Sequence, residues 1–296
     1  MYFWYAIRIS ASDVTISGFT ITNCNGAISL DQSETGYKPI SGVKIVGNYI
    51  QNNSDSIYGT GAGTNLFICK NNVTNNDYGI RFSGWSDSLV SENNIIGNEG
   101  GLSLASSSNV TIKQNNIVGN SGGLFLGWSG PFYVYDNNIT DNRIFGIEFE
   151  GSNNSTVNNN NIMRNEIGIR LLNYGFGTRS IPTLGSGNSV YYNNLIDNVQ
   201  NIFVQHAAFY NVSTDVGNGT DIVSWDNGLV GNYWSDYGGQ GTYVIDENNV
   251  DHHPLTQQVD ISTTAPTPLT IAIIAIIVVA IGTGVGLLVY FKKRKH

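Results

Sequence analysis

The sequence predicts an all-β solenoid, a coil of short parallel strands, followed by one C-terminal transmembrane helix. Three observations predict it. An asparagine-marked unit recurs about every 22 residues, three apolar columns persist through its copies, and a 22-residue stretch near the C-terminus carries no charge.

The unit reads Asn-Asn-apolar-x-x-Asn, then Gly and an apolar-x-apolar triplet, as in "NNVTNNDYGIRF" from Asn71, "NNIIGNEGGLSL" from Asn93 and "NNIVGNSGGLFL" from Asn115. Its closing asparagines are Asn53, Asn76, Asn98, Asn120, Asn142, Asn165 and Asn198, and Cys24 holds that place in the first copy. From Asn53 onward the steps are 22 or 23 residues, except one of 33 opened by an insertion around 173–187. Relative to the closing asparagine, position −8 runs from Ile16 to Val190, position −3 from Ile21 to Leu195, and position +4 from Ile28 to Ile202, all apolar. Position +6 agrees apart from Gly59. The +4/+6 alternation is a strand period, and helix-pair repeats need about 34 residues or more. Each strand therefore pairs in parallel with its copy in the next rung at about 4.8 Å. Eight or more rungs are expected, and eight alone make a rod of roughly 38 Å. At the bends the asparagines stack on one another and supply the turn backbone with donors and acceptors, while the glycines at +2 and +3 supply a tight turn.

In chain order, Ile7 and Ile9 fit the +4 and +6 columns of an incomplete first rung, and the coils occupy residues 1–204. "MYFWYAIRIS" has neither a basic n-region nor an apolar run, so an N-terminal signal and earlier turns are expected to be missing from this chain. Residues 205–260 form a closing segment in which Trp225 and Trp234 plug the last rung, and 261–268 a Pro/Thr-rich stalk. Residues 269–291 are long and apolar enough to cross the ~30 Å hydrocarbon core. The basic 292–296, "KKRKH", stays cytoplasmic by the positive-inside rule. The coil then lies outside the cell.

The formal charge is −8; Lys292, Lys293, Arg294 and Lys295 removed, the body carries −12, which excludes a nucleic-acid partner. Disorder is excluded by 41% hydrophobic residues with 12% charged. Candidate chemistry lies on outward columns. Glu148 and Glu150 share one side of a strand, with carboxyls about 6–7 Å apart, a spacing compatible with glycoside hydrolysis. Arg170 stands one rung above Glu148, and a surface ion pair accounts for both as well. Trp85 and Trp128, in "SGWS" and "LGWS", are expected near one corner two rungs apart, as exposed faces for sugar rings or as covers for loop ends. Cys24 and Cys69 are too far apart for a bridge and are expected as free thiols. No Met-x-Met or His-x-x-His cluster exists, and neighbouring His252 and His253 would point to opposite sides of a strand; no metal site or cofactor is predicted. Sequons make Asn72, Asn109, Asn138, Asn211 and Asn218 glycosylation candidates, and those at Asn72 and Asn138 predict that the second asparagine of each Asn-Asn pair faces solvent.

These repeats, with "GNYWSDYGGQGTYVIDENNVDHHPL" at Gly231–Leu255, resemble the NosD-type family of β-helix proteins, named for a periplasmic copper-binding protein, and especially its archaeal cell-surface members. The resemblance spans about residues 6–256. It implies a right-handed parallel β-helix and a similar anchored tail. Many relatives carry an acidic loop where this chain has "GGQG", so no Ca²⁺ site carries over. The expected function is a monomeric, membrane-anchored surface protein that binds carbohydrate or a surface protein without catalysis. The alternatives are a polysaccharide lyase or glycoside hydrolase using Glu148 and Glu150, and a NosD-like copper protein.

Overall fold

Three parallel sheets wind around one apolar core in the computed structural model, which describes residues 4–30, 38–172, 185–205 and 223–261. The first sheet stacks nine strands: Tyr5–Ile9, Gly26–Leu30, Asp55–Gly59, Tyr78–Ser83, Gly100–Ala105, Gly122–Gly127, Phe145–Glu150, Ile167–Leu172 and Gln200–Val204. The second runs from Thr15–Ser17 through Trp85–Ser91 and Ser108–Lys113 to Val223–Ser224. The third runs from Thr20–Thr22 through Asn94–Ile96 to Tyr233–Trp234. No strand between these sheets is antiparallel; the one antiparallel pair among the described residues joins Tyr243–Val244 to Val250–Asp251 in the closing segment.

The register reproduces the sequence columns. Ile45, Ile68, Val90 and Ile112 pair in the second sheet, Ile50, Val73, Ile95 and Ile117 in the third, and Ile57, Ile80, Leu102 and Leu124 in the first. All twelve are buried. Stacking like on like keeps each apolar side chain against its copies above and below, so the core is continuous along the rod.

Two buried asparagine stacks line the bends. The first runs Asn53, Asn76, Asn98, Asn120, Asn142, Asn165, Asn198; the backbone N–H and Nδ2 of each donate to Oδ1 of the next, as Asn98 does to Asn120 at 2.9 and 3.0 Å. The second consists of the first asparagine of each pair, Asn48, Asn71, Asn93, Asn115, Asn137, Asn160, Asn193 and Asn232, bonded in the same way. Each Nδ2 also reaches back to a carbonyl of the preceding coil, so the amide meets four partners and leaves no orphan.

Two expectations are corrected. Gly101 and Gly123 do not make a left-handed turn, since neither has a positive φ. A Cβ on Gly101 would lie 2.5 Å from the carbonyl oxygen of Gly123, and one on Gly123 2.3 Å from that of Gly146, so close approach between coils demands glycine there. The left-handed corners are held by other residues, such as Asn75, Asp141 and Arg164. The second correction concerns Trp85, which is fully buried. Gly59, the one exception in the +6 column, and Gly63 leave the space its indole fills: a Cβ on Gly59 would lie 3.3 Å from Nε1, and one on Gly63 2.5 Å from Cε3.

The C-terminal end is closed by aromatic residues. Trp225 and Trp234 are buried with ring centroids 5.9 Å apart, and Tyr243 stacks on Trp234 at 4.1 Å. No helix among the described residues is long and apolar enough to cross a membrane; the predicted stalk, span and tail lie outside the described residues, apart from Ile261.

Candidate functional site

On the outward side of the first sheet, position +5 aligns Arg8, Ser29, Tyr58, Arg81, Ser103, Phe125, Glu148, Arg170 and Phe203. Glu150 lies two residues on, beside Gly127 in register. The column holds two side-chain clusters with a low strand between them.

The first cluster forms around Glu148. Its carboxylate pairs with the Arg170 guanidinium, which lies 4.6 Å from the Phe145 ring centroid. Glu150 accepts a hydrogen bond from Trp128 Nε1 at 3.1 Å, and Trp128 meets Phe125 edge-on at 5.7 Å. Burial pushes both carboxyls above the usual glutamate range; at Glu148 Arg170 opposes this and Glu150 adds to it, while at Glu150 the Trp128 bond and Arg170 oppose it. The ion pair expected at the surface thus has a buried carboxylate, with Glu148 5% and Glu150 8% exposed. Trp128 keeps an accessible indole at 41%.

Trp85 and Trp128 do not share a corner column. Ala105 pairs with Gly127, so Trp128 follows in line with Ser106, whereas the N–H of Trp85 donates to Ser107. That offset of one residue sends one indole into the core and the other to solvent. Trp85 is no candidate binding residue.

Sequence reasoning missed the second cluster. Arg81 pairs with Asp55 at 2.8 Å and lies between the rings of Tyr58 and Tyr78, 4.5 and 4.3 Å from their centroids. The Tyr5 hydroxyl donates to Asp55 at 3.3 Å; burial, then the Asp55 charge, raises its pKa. Asp55 precedes the apolar triplet at a position that is glycine in the next coils but one, Gly100 and Gly122, and no sequence pattern marks it. Between the clusters, Gly100–Ala105 presents only Gly100, Ser103 and Ala105 outward. The result is a strip of small residues between the two clusters, the strands that carry Arg81 and Phe125 lying two spacings or about 9.6 Å apart. An open recess of about 350 Å³ elsewhere, on the second sheet, is lined by Asp87, Asn109, Lys113 and Tyr135 among others; it has neither a carboxylate pair nor a tryptophan.

Of the remaining candidates, Asn72 and Asn138 lie on the outward side of the third sheet, and Asn138 Nδ2 donates to Asn116 Oδ1 at 2.7 Å. Asn109 Nδ2 donates to Asp87 at 2.5 Å. Asn211 and Asn218 lie outside the described residues. Cys24 and Cys69 are free thiols.

The chain belongs to the NosD family, whose model, described as periplasmic copper-binding protein (NosD), matches residues 12–239. No curated protein sequence matches the chain. Among solved structures it is similar to a mutant of the periplasmic alginate epimerase AlgG: 18% identity, a TM-score of 0.53, and coverage of 65% of this chain and 48% of that one. The A-module of the mannuronan C-5 epimerase AlgE4 from Azotobacter vinelandii is 18% identical, with a TM-score of 0.37 over 70% of this chain and 79% of that one. At such identities the likeness to AlgG is one of fold.

The described residues do not fit a copper centre. No three of their His, Cys, Asp or Glu side chains converge. The soft donors are separate and engaged: Ser91 Oγ donates to Cys69 Sγ at 3.3 Å, and Cys24 Sγ lies 3.5 Å from the Thr22 carbonyl. His252 and His253 are exposed on the closing segment, their N–H groups bonded to Asp226 and Asp251.

Proposed function

We propose that this protein binds carbohydrate at the cell surface, along the strip of small residues between the two clusters on the first sheet. The observation that carries the reading is the exposed Trp128, its indole held by Glu150 and Phe125 beside the Glu148–Arg170 pair. A fixed aromatic face offers the apolar C–H surface of a sugar ring a partner, and the adjacent charged groups bond its hydroxyls. Serine and small residues on Gly100–Ala105 leave room for a chain lying along the strand direction. The fold is one that the alginate epimerase AlgG also uses. In this reading residues 269–291 anchor the rod in the membrane, with the coil outside.

A glycan array probed with the purified protein tests the proposal. Retention of an unaltered oligosaccharide by the native protein, lost in Trp128→Ala, supports it. Absence of retention on every glycan refutes it. The raised carboxyls of Glu148 and Glu150 favour one second reading, cleavage of the bound glycan by the pair. Shortened or unsaturated products that vanish in both Glu148→Gln and Glu150→Gln would support that reading instead.

A further inference from the structure

The sequon Asn109-Val110-Thr111 crosses the rim of the open recess on the second sheet, and both of its polar side chains line that recess. Asn109 is exposed and holds a left-handed corner with φ 54°, one coil on from the matching corner at Asp87 with φ 52°. The Asp87 carboxylate fixes the amide. Asn109 Nδ2 donates to its Oδ1 at 2.5 Å, while its Oδ2 accepts Ser86 Oγ at 3.1 Å. A side-chain amide carries two N–H groups, so one remains after Asp87 is served.

The recess exists because Thr111 is the small member of its outward column, between Leu89 in the coil before and Tyr133 in the coil after. In the adjacent outward column Lys113 stands between Ser91 and Tyr135, its Nζ 6.0 Å from the Tyr135 ring centroid. Leu89 and Tyr135 give the hollow an apolar side, and Asp87, Thr111 and Lys113 give it donors and acceptors. Lys113 forms no ion pair among the described residues, so its ammonium protons are open to a ligand. A volume of about 350 Å³ lies within the range of small-ligand pockets, about 300–1,000 Å³. An aromatic face with polar groups beside it suits a sugar ring, whose C–H side is apolar and whose hydroxyls bond.

The tether names the occupant. A sugar joined to Asn109 Nδ2 starts from a side chain that already lines the recess, which holds it there at an effective concentration on the order of millimolar. The sequon at Asn138 lacks this arrangement: Thr140 is buried, and Asn138 stands between Asn116 and Asn161 in register, with Nδ2 donating to Asn116 at 2.7 Å.

We propose that Asn109 carries an N-linked glycan whose first sugar is seated in this recess, against Leu89 and Tyr135. The inference rests on the proposed location of the coil outside the cell. The donor is a lipid-diphosphate-linked sugar. Asn109 Nδ2 attacks the anomeric carbon, and the C–N bond forms as the C–O bond to phosphate breaks. The lipid diphosphate leaves with the electron pair, and one Nδ2 proton passes to a base of the transferring enzyme. The second N–H keeps its bond to Asp87.

The full chain behind a secretory leader, made in a host that N-glycosylates, provides the test. The leader supplies the address, so failure here leaves the proposed location and the first-sheet site untouched. Cleavage after Arg81 and Lys113 isolates residues 82–113, in which Asn109 holds the one sequon, and cleavage after Arg143 isolates 114–143 with Asn138. Mass spectrometry should find residues 82–113 glycosylated in the native chain and unmodified in Thr111→Val. Denaturation reads the seat. Tyr135→Ala should lower the folding equilibrium constant about fivefold more in the glycosylated chain than in the same chain made without the leader, the worth of one ring contact. Unmodified residues 82–113 in the native chain overturn the proposal, as does a glycan on 114–143 alone. Equal effects of Tyr135→Ala in the two chains overturn the seat.

Discussion

The backbone N–H of Asn232 donates to Oδ2 of Asp251 at 2.7 Å, and the same oxygen accepts Nε1 of Trp234 at 2.9 Å. In each earlier coil the equivalent N–H meets an asparagine Oδ1; at the last coil a carboxylate ends the stack. Oδ1 of Asp251 takes the N–H of His253 at 3.0 Å, so one side chain satisfies three donors of the closing segment.

Asp251→Ala leaves those three donors without an acceptor in a site where Asp251 itself is fully buried. At about 1 kcal/mol or more per orphan, the expected cost is about 3 kcal/mol. Thermal unfolding followed by circular dichroism checks it, and a midpoint unchanged from the native protein contradicts the capping role.

Asn98→Leu removes the acceptor of Asn76 N–H and Nδ2 and the donor to Val73, all within buried structure. A loss of about 3 kcal/mol is expected. Thr111→Ala, on an outward position of the second sheet, should change stability by under about 0.5 kcal/mol. Chemical denaturation of the two variants side by side tests whether the amide stack or general packing dominates.

Two glycines separate the two reasons for glycine in this fold. Gly123→Ala should cost about 2 kcal/mol or more, because its Cβ meets the backbone oxygen of Gly146 at 2.3 Å and overpacking against backbone has little room to relax. Gly119 has φ 64° and open space around its Cβ position. Asn75 and Asp141 hold the same bend in other coils with φ of 54° and 58°, so Gly119→Asn should be tolerated. Equal destabilisation of both variants would refute the distinction.

The coil and its inward columns could be read from the sequence because stacking repeats each choice: Ile95 packs on Val73 and Ile117, and all three lie in the same place in the unit. What stayed hidden has no repeat. Asp55 meets Arg81 from the preceding coil and has no counterpart in the two coils beyond Arg81's own, where its position is glycine. The burial of Trp85 depends on a one-residue offset and on space left by two glycines. The inner asparagine stack was legible as a repeated Asn-Asn pair whose second member, marked by the sequons at Asn72 and Asn138, faces outward.

The Glu148–Arg170 pair makes the sharpest test by pH. Burial raises Glu148, so its contribution to stability is full below the usual glutamate value and is lost as pH rises through the raised one. At neutral pH the ionised carboxylate depends on Arg170, whose side chain is 23% exposed against 7% for Glu148. Arg170→Met should therefore cost about 3 kcal/mol at pH 7, because it strands a buried charge. The penalty should shrink as pH falls toward 4, where Glu148 is protonated in both proteins. Arg164→Met, which breaks a pair with Asp141 exposed on both sides, should cost about 0–1 kcal/mol at pH 7. Denaturation curves at pH 4 and pH 7 decide the matter: an Arg170→Met penalty that is the same at both would mean that the contact is packing, with no dependence on the charge of Glu148.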